Sequence, residues 1–240
     1  MTDRQVCGIH CTNSMVRKST ALPPSDPPPT HTLRENSPTD DVDGYRGGVQ
    51  LTRESIITAS LDIADTYGLA DMTMRRVARQ LGVAPGALYW HFPSKQALIA
   101  AIGQTICAPV LDDAATVTGT TWTEATLAMC ARLRAALLDH RDGAEIVSAA
   151  LSDATLHTQL TATISAALGV GDELSRGHRE TGAVTLLHFI MGETLHEQSV
   201  AAIRIAEGAA LPTEASECGE TTFRRGVAVV LKGLGAPCDI

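Results

Sequence analysis

From Leu51 onward, apolar residues recur at helical spacing. Ile56, Ile63 and Tyr67 fall near one face of a first segment, with Ala59 and Ala64 filling small gaps between them. Met74, Val77, Ala78 and Leu81 form an i, i+3, i+4, i+7 set in the next. Between the segments stand residues that start and stop helices. Thr52 and Thr73 can each cap the free N–H groups of a first turn, and Gly68 and Gly82 allow the turns that end a helix. Pro85 suits a first helical position because its missing N–H has no partner there in any case. The pattern predicts a helix from Thr52 to Gly68, a second after Thr73, and a very short third over Pro85–His91 anchored by Leu88. Pro93 separates that helix from a fourth, capped by Ser94 and running to about residue 110 through Leu98, Ile102 and Ile106.

Further along, polar residues 112–121 predict a loop, and a long helix follows over Trp122–Asp139 with Leu127, Leu133, Leu137 and Leu138 on its apolar side. Shorter helices are expected over 143–151 and 155–168, the latter ended by Gly169-Val170-Gly171. Residues 177–207 carry the longest apolar period: Val184, Leu187, Ile190, Met191, Leu195 and Ile203, with Gly182 and Gly192 allowing close helix approach. Residues 208–220 are expected as a loop and Thr221–Leu234 as a last amphipathic helix. Two late helices with wide apolar faces exceed what one small domain needs. The fold class predicted is all-α, with a three-helix N-terminal head and a larger C-terminal helical body.

Two short helices joined by Gly82-Val83-Ala84 are the pattern of a helix-turn-helix, whose second helix enters the DNA major groove. Arg75, Arg76 and Arg79 lie opposite the apolar set of the second helix. Pro85, Gly86 and Ala87 leave the leading edge of the third helix nearly bare, so its backbone can approach DNA closely. Tyr89, Trp90 and His91 supply hydroxyl, indole and imidazole donors for phosphate oxygens. Lys95 sits in a first turn, where the helix dipole disfavours a cation and a nearby phosphate would offset that cost.

The run Met72-Thr73-Met74-Arg75-Arg76-Val77-Ala78, then Leu81-Gly82-Val83, Leu88-Tyr89-Trp90-His91-Phe92, Lys95 and Ala97-Leu98 resembles the DNA-binding head of the tetracycline-repressor (TetR) family. Arg134 through Ala144 and Leu187-His188-Phe189 with Gly192, Leu195 and Gln198 resemble the C-terminal domain of the tetracycline repressor subgroup. The resemblance implies a head over 49–96 and a ligand-binding and dimerisation domain over 97–240, with two late helices meeting their twin in a four-helix bundle. It implies DNA contacts from Thr73, Arg75, Pro85, Gly86, Ala87, Tyr89, Trp90, His91 and Lys95. Position 84 often holds a capping Ser in that family and is Ala here, a change that can cost about 1 kcal/mol of capping. Base readout is then expected from Arg75, from apolar contact of Pro85 or Ala87 with thymine methyls, and from DNA shape.

The same resemblance places an effector pocket on Leu111, Met129, Leu133, Val147, Ala150 and Leu151, with Thr163 and His196 or Glu197 opposite. Where relatives carry polar groups for a magnesium–tetracycline complex, this chain carries aliphatic ones. Magnesium demands oxygen ligands, and Val147 has none to offer. The expectation is an apolar, metal-independent effector, no metal and no cofactor, with His188 and His196 as polar fixtures of the pocket.

Net charge is −8, which by itself disfavours DNA as a partner. Its distribution reverses that: residues 50–100 hold five basic and four acidic groups, whereas 101–240 hold nine and seventeen. An acidic body repels DNA and helps orient basic heads. Residues 1–48 are Pro-, Ser-, Thr- and Asp-rich and are expected to be a disordered extension. Three readings of it stay open: an inert tail, a minor-groove arm using Arg34 and Arg46, or a translation start farther down, with Met15 a candidate. No signal-peptide core or 18-residue apolar run occurs, so a cytoplasmic protein with no membrane partner and reduced thiols is expected. Cys7-Gly-Ile-His10-Cys11 lacks the second ligand pair of a zinc site.

An enzyme is not expected. GxSxG, P-loop, GxGxxG and HExxH patterns are missing, and His140-Arg141-Asp142 reads as a helix-end cation followed by a turn carboxylate. The partners implied are a double-stranded DNA operator, a small-molecule effector and a second copy of the chain. The competing reading is a helical protein-interaction module that has lost specific DNA binding.

Overall fold

The computed structural model describes residues 51–112, 119–208 and 213–235, with side chains of the last helix described from Gly219 on. The N-terminal extension, with Cys7, His10, Cys11, Arg34 and Arg46, lies outside the described residues. Among those described there is no strand, and the fold is all-α. No described helix is long and apolar enough to cross a membrane.

The head comprises α1 (Arg53–Tyr67), α2 (Met74–Leu81) and α3 (Pro85–Tyr89). The expected signals operate at their ends. Thr52 accepts from Ser55 N–H at 3.1 Å and Ser55 donates back to the Thr52 carbonyl, closing the first turn of α1. Gly68 follows with φ 94°. Thr73 accepts from Arg76 N–H at 3.2 Å, and Gly82 adopts the left-handed conformation, φ 69° and ψ 27°. Ile56, Ile63, Met72, Val77, Leu88 and Phe92 are all fully or almost fully buried and form the head's core.

The body follows as α4 (Lys95–Leu111), α5 (Trp122–Leu138), α6 (Gly143–Ala150), α7 (Ala154–Leu168), α8 (Arg176–Ala206) and α9 (Thr213–Leu234). Here α4 packs most extensively on α6, α7 on α8, and α8 on α9. Two glycines set close approaches. A Cβ at Gly103 of α4 would meet Ala150 Cβ of α6 at 2.4 Å, and one at Gly182 of α8 would meet the Leu234 side chain at 2.7 Å.

Two element boundaries differ from the pattern-based expectation by more than one residue. α3 ends at Tyr89 rather than His91, because the chain must turn before Pro93. α9 begins at Thr213, inside the expected 208–220 loop. Its first turns read Thr-Glu-Ala-Ser-Glu, which are helix-compatible residues that carry no apolar period. A third expectation also changes: a Cβ at Gly192 would meet nothing within 4 Å among the described residues, so Gly192 sets no close helix contact there.

Candidate nucleic-acid interface

The three arginines of α2 have different surroundings. Arg76 is half-buried, pairs with Asp71 at 2.7 Å and stacks 3.8 Å over the Tyr67 ring. It braces the head. Arg75 and Arg79 are exposed, and among the described residues no ion pair involves them. Lys95 is likewise exposed, at the first position of α4. Arg75 and Lys95 both sit in the first turn of a helix that has no acidic residue there. The backbone field at these sites favours an anion, so both helix starts are left open to an external one. By contrast, α1, α5 and α6 carry Glu54, Glu124 and Glu145 in their first turns.

Pro85 and Gly86 are exposed and Ala87 half-buried on α3, and a Cβ at Gly86 would meet nothing within 4 Å among the described residues. Ala84 occupies the N-cap position in extended conformation, but no side chain caps the helix. Tyr89 is half exposed and Trp90 is 91% exposed, a large apolar ring left in solvent beside the donors. His91 is partly buried, and its carbonyl accepts from the Arg53 guanidinium, which lies 4.2 Å over the Phe92 ring. Sequence reasoning missed Arg53. Its role is to fix the Trp90–Phe92 turn from α1, and a contact spanning 38 residues leaves no local signal. Thr73, Arg75, Gly86, Tyr89, Trp90 and Lys95 thus lie at the solvent-facing side of α2, α3 and the start of α4.

The model of bacterial regulatory proteins of the tetR family matches residues 56–102, and that of the tetracyclin repressor-like C-terminal domain matches 116–220. The class A tetracycline repressor of Escherichia coli transposon 1721 is 30% identical over 154 residues, covering 62% of this chain and 68% of that protein. The chain belongs to the TetR family. The Escherichia coli class D repressor is 28% identical over 198 residues, covering 77% of this chain and 89% of its own length. BioQ, solved with its natural double-stranded DNA operator, is 34% identical with a TM-score of 0.62, across 78% of this chain and all of that one. As a TetR-family member the chain is a transcriptional regulator with a helix-turn-helix head and a C-terminal domain of the ligand-binding kind.

In the body, Met129, Leu133, Val147 and Ala150 are buried in the core, and Leu111 and Leu151 are partly buried against it. His188 and His196 are exposed on α8, outside that cluster, which differs from their expected place as pocket fixtures. Leu187, Ile190, Met191 and Thr194 take the inward face of α8, so positions 188 and 196 turn outward. Two thiols, Cys107 and Cys130, are buried, and desolvation pushes each up to about 12. A groove of about 450 Å³ opens between the start of α5 and the end of α9, lined in part by Trp122, Leu127 and Leu231. It shares none of the expected effector residues.

Proposed function

We propose that this TetR-family chain is a repressor that binds a palindromic operator as a homodimer and is released by a small, largely apolar, metal-independent effector. The observation that carries the DNA reading is a pair of exposed cations, Arg75 and Lys95, without an ion pair among the described residues and in helix first turns on either side of a bare α3. Thr73 sets the start of α2, while Pro85, Gly86 and Ala87 let α3 approach base edges and thymine methyls. Tyr89, Trp90 and His91 address phosphates. BioQ, with the same fold at 34% identity, is a DNA-operator complex by its own description.

Dimerisation draws support from α8. Its exposed positions include Thr185, His188, Gly192, Leu195, Ser199 and Ala202, spaced alternately by four and three residues. That heptad stripe of mostly small or apolar groups suits a partner helix. Two such protomers hold recognition helices roughly 34–36 Å apart, one DNA turn.

The effector reading rests on the donor set. Leu133, Val147 and Ala150 are wholly buried aliphatics, and magnesium–tetracycline has no oxygen or nitrogen ligand among them. A ligand entering there parts α4, α5 and α6, and because α4 begins at the head, that motion changes the spacing of the heads. The ligand must bind the released state more tightly than the DNA-bound state.

The test is a footprint on DNA flanking the chain's own gene, across a salt series. A palindromic protected site that outcompetes random DNA and weakens with salt is expected. Weak, sequence-blind binding to every fragment of the genome would sink the reading in favour of a protein-interaction module.

A further inference from the structure

The turn between α5 and α6 is gripped from two sides. On one side it holds the end of α1. Asp142 Oδ2 accepts from Leu69 N–H at 2.6 Å, although Asp142 stands at the N-cap of α6 and makes no side-chain cap to its own helix. The Asp65 carboxylate accepts from Arg141 N–H at 3.1 Å and lies 3.0 Å from His140 Nδ1. The Arg141 guanidinium donates to the Thr66 carbonyl at 3.0 Å. On the other side stands Gln198 of α8. Its amide nitrogen donates to the carbonyls of Leu137 at 3.1 Å and His140 at 2.7 Å, and its oxygen accepts from Ala144 N–H at 3.0 Å. One side chain thereby satisfies carbonyls left over at the end of α5 and a free N–H at the start of α6. Gly143 keeps the turn tight, since a Cβ there would meet the Leu137 carbonyl oxygen at 2.1 Å.

We propose that Gln198 is a positioning residue for the DNA-binding head: the state of α8 passes through its amide to the 139–142 turn, and from that turn to α1. This rests on the reading of the head as the DNA-binding element and adds a route separate from α4. The chemistry is specific. The site needs two N–H donors and one acceptor on one side chain. A carboxylate would set an oxygen against two carbonyls, and an aliphatic chain would leave the Leu137 carbonyl and the Ala144 N–H without this partner and the His140 carbonyl with the Gly143 N–H alone. Energetic coupling between two links in a chain is also reciprocal, which makes the proposal testable from either end.

The experiment is residue-resolved amide hydrogen exchange on the full chain, without DNA or effector. Gln198→Leu is expected to speed exchange at Leu69 at least tenfold, although that amide does not touch Gln198, together with Ala144 and with Arg141, whose N–H shares a peptide group with the His140 carbonyl that Gln198 holds. Asp65→Ala, on α1 at the far end, is expected to speed Ala144 by a comparable factor. Gln198→Asn keeps the amide one methylene short and is expected to give a smaller rise at the same amides; it carries the test if Gln198→Leu fails to fold. Gln96→Ala is the control: Gln96 ties α4 to the other end of α6 through Ala149 and Ser152, and its loss leaves Leu69 unchanged. A rise confined to Ala144 and Arg141, or one spread evenly over α7 and α9, overturns the proposal. Operator binding is measured separately, so a chain that ignores DNA sinks the repressor reading and leaves the exchange result to decide the relay.

Discussion

The head and the body of this chain use side chains in opposite ways. On the head, Arg75, Lys95 and Trp90 stand in solvent with no ion pair or ring contact among the described residues, and the edge of α3 is nearly bare. In the body, three of the expected effector residues, Leu133, Val147 and Ala150, are wholly enclosed by protein. A surface that must meet an anionic partner keeps its charges unpaired and its backbone approachable. A core proposed to answer to an apolar ligand would keep that ligand's place filled until the helices part. The contrast teaches where each function is vulnerable: the head to loss of charge, the body to loss of volume.

Volume gives the largest expected effect. Leu133→Ala removes a fully buried side chain from α5 and should destabilise the body by about 2–5 kcal/mol. Chemical denaturation of the variant checks this. If the cavity lies where the effector enters, small apolar molecules should stabilise the variant more than the parent chain. A loss below about 1 kcal/mol would mean that the core collapses freely around position 133 and that the enclosure argument is wrong.

Charge comes next. Arg75→Ala with Lys95→Ala should weaken operator binding at least a hundredfold and flatten its salt dependence, with folding and self-association unchanged. Arg76→Ala makes the sharper comparison, because Arg76 is engaged with Asp71 and Tyr67. Its loss should lower the head's melting point, with a smaller effect on the salt slope. Equal effects of Arg75 and Arg76 on DNA affinity would break the distinction between a bracing and a contacting arginine.

These differences also mark what was legible in the residues alone. The head could be read because its signals are local: the Thr73 hydroxyl and the Arg76 N–H it caps are three positions apart, and Gly82 breaks the helix where it stands. The apolar period of α4 through α8 was legible for the same reason. Contacts across the fold were not. Asp142 reaches Leu69 over 73 positions, Arg53 reaches His91 over 38, and Arg134 meets Glu197 over 63. His140-Arg141-Asp142 read as a helix end and a turn; His140 and Arg141 also hold α1, and Asp142 holds Leu69 just past its end. The outward direction of His188 and His196 depended on which face of α8 the core would take, and a helix apolar over a wide arc leaves that choice open.

The smallest effect concerns one hydroxyl. Thr52, Thr73 and Ser94 cap α1, α2 and α4 with a side-chain oxygen, whereas Ala84 begins α3 without one. The backbone at Ala84 is already suited to a cap, with φ −68° and ψ 142°, and the residue is exposed. Ala84→Ser should therefore accept an N–H of the first turn and raise the head's stability by about 0.5–1 kcal/mol, read as a small rise in its unfolding midpoint. The same hydroxyl would stand on the edge proposed to meet base edges and thymine methyls. If that edge is read by apolar contact, the serine should relax discrimination between operator variants while total affinity changes little. A more stable head with unchanged sequence preference would place base readout elsewhere, on Arg75 and the shape of the DNA.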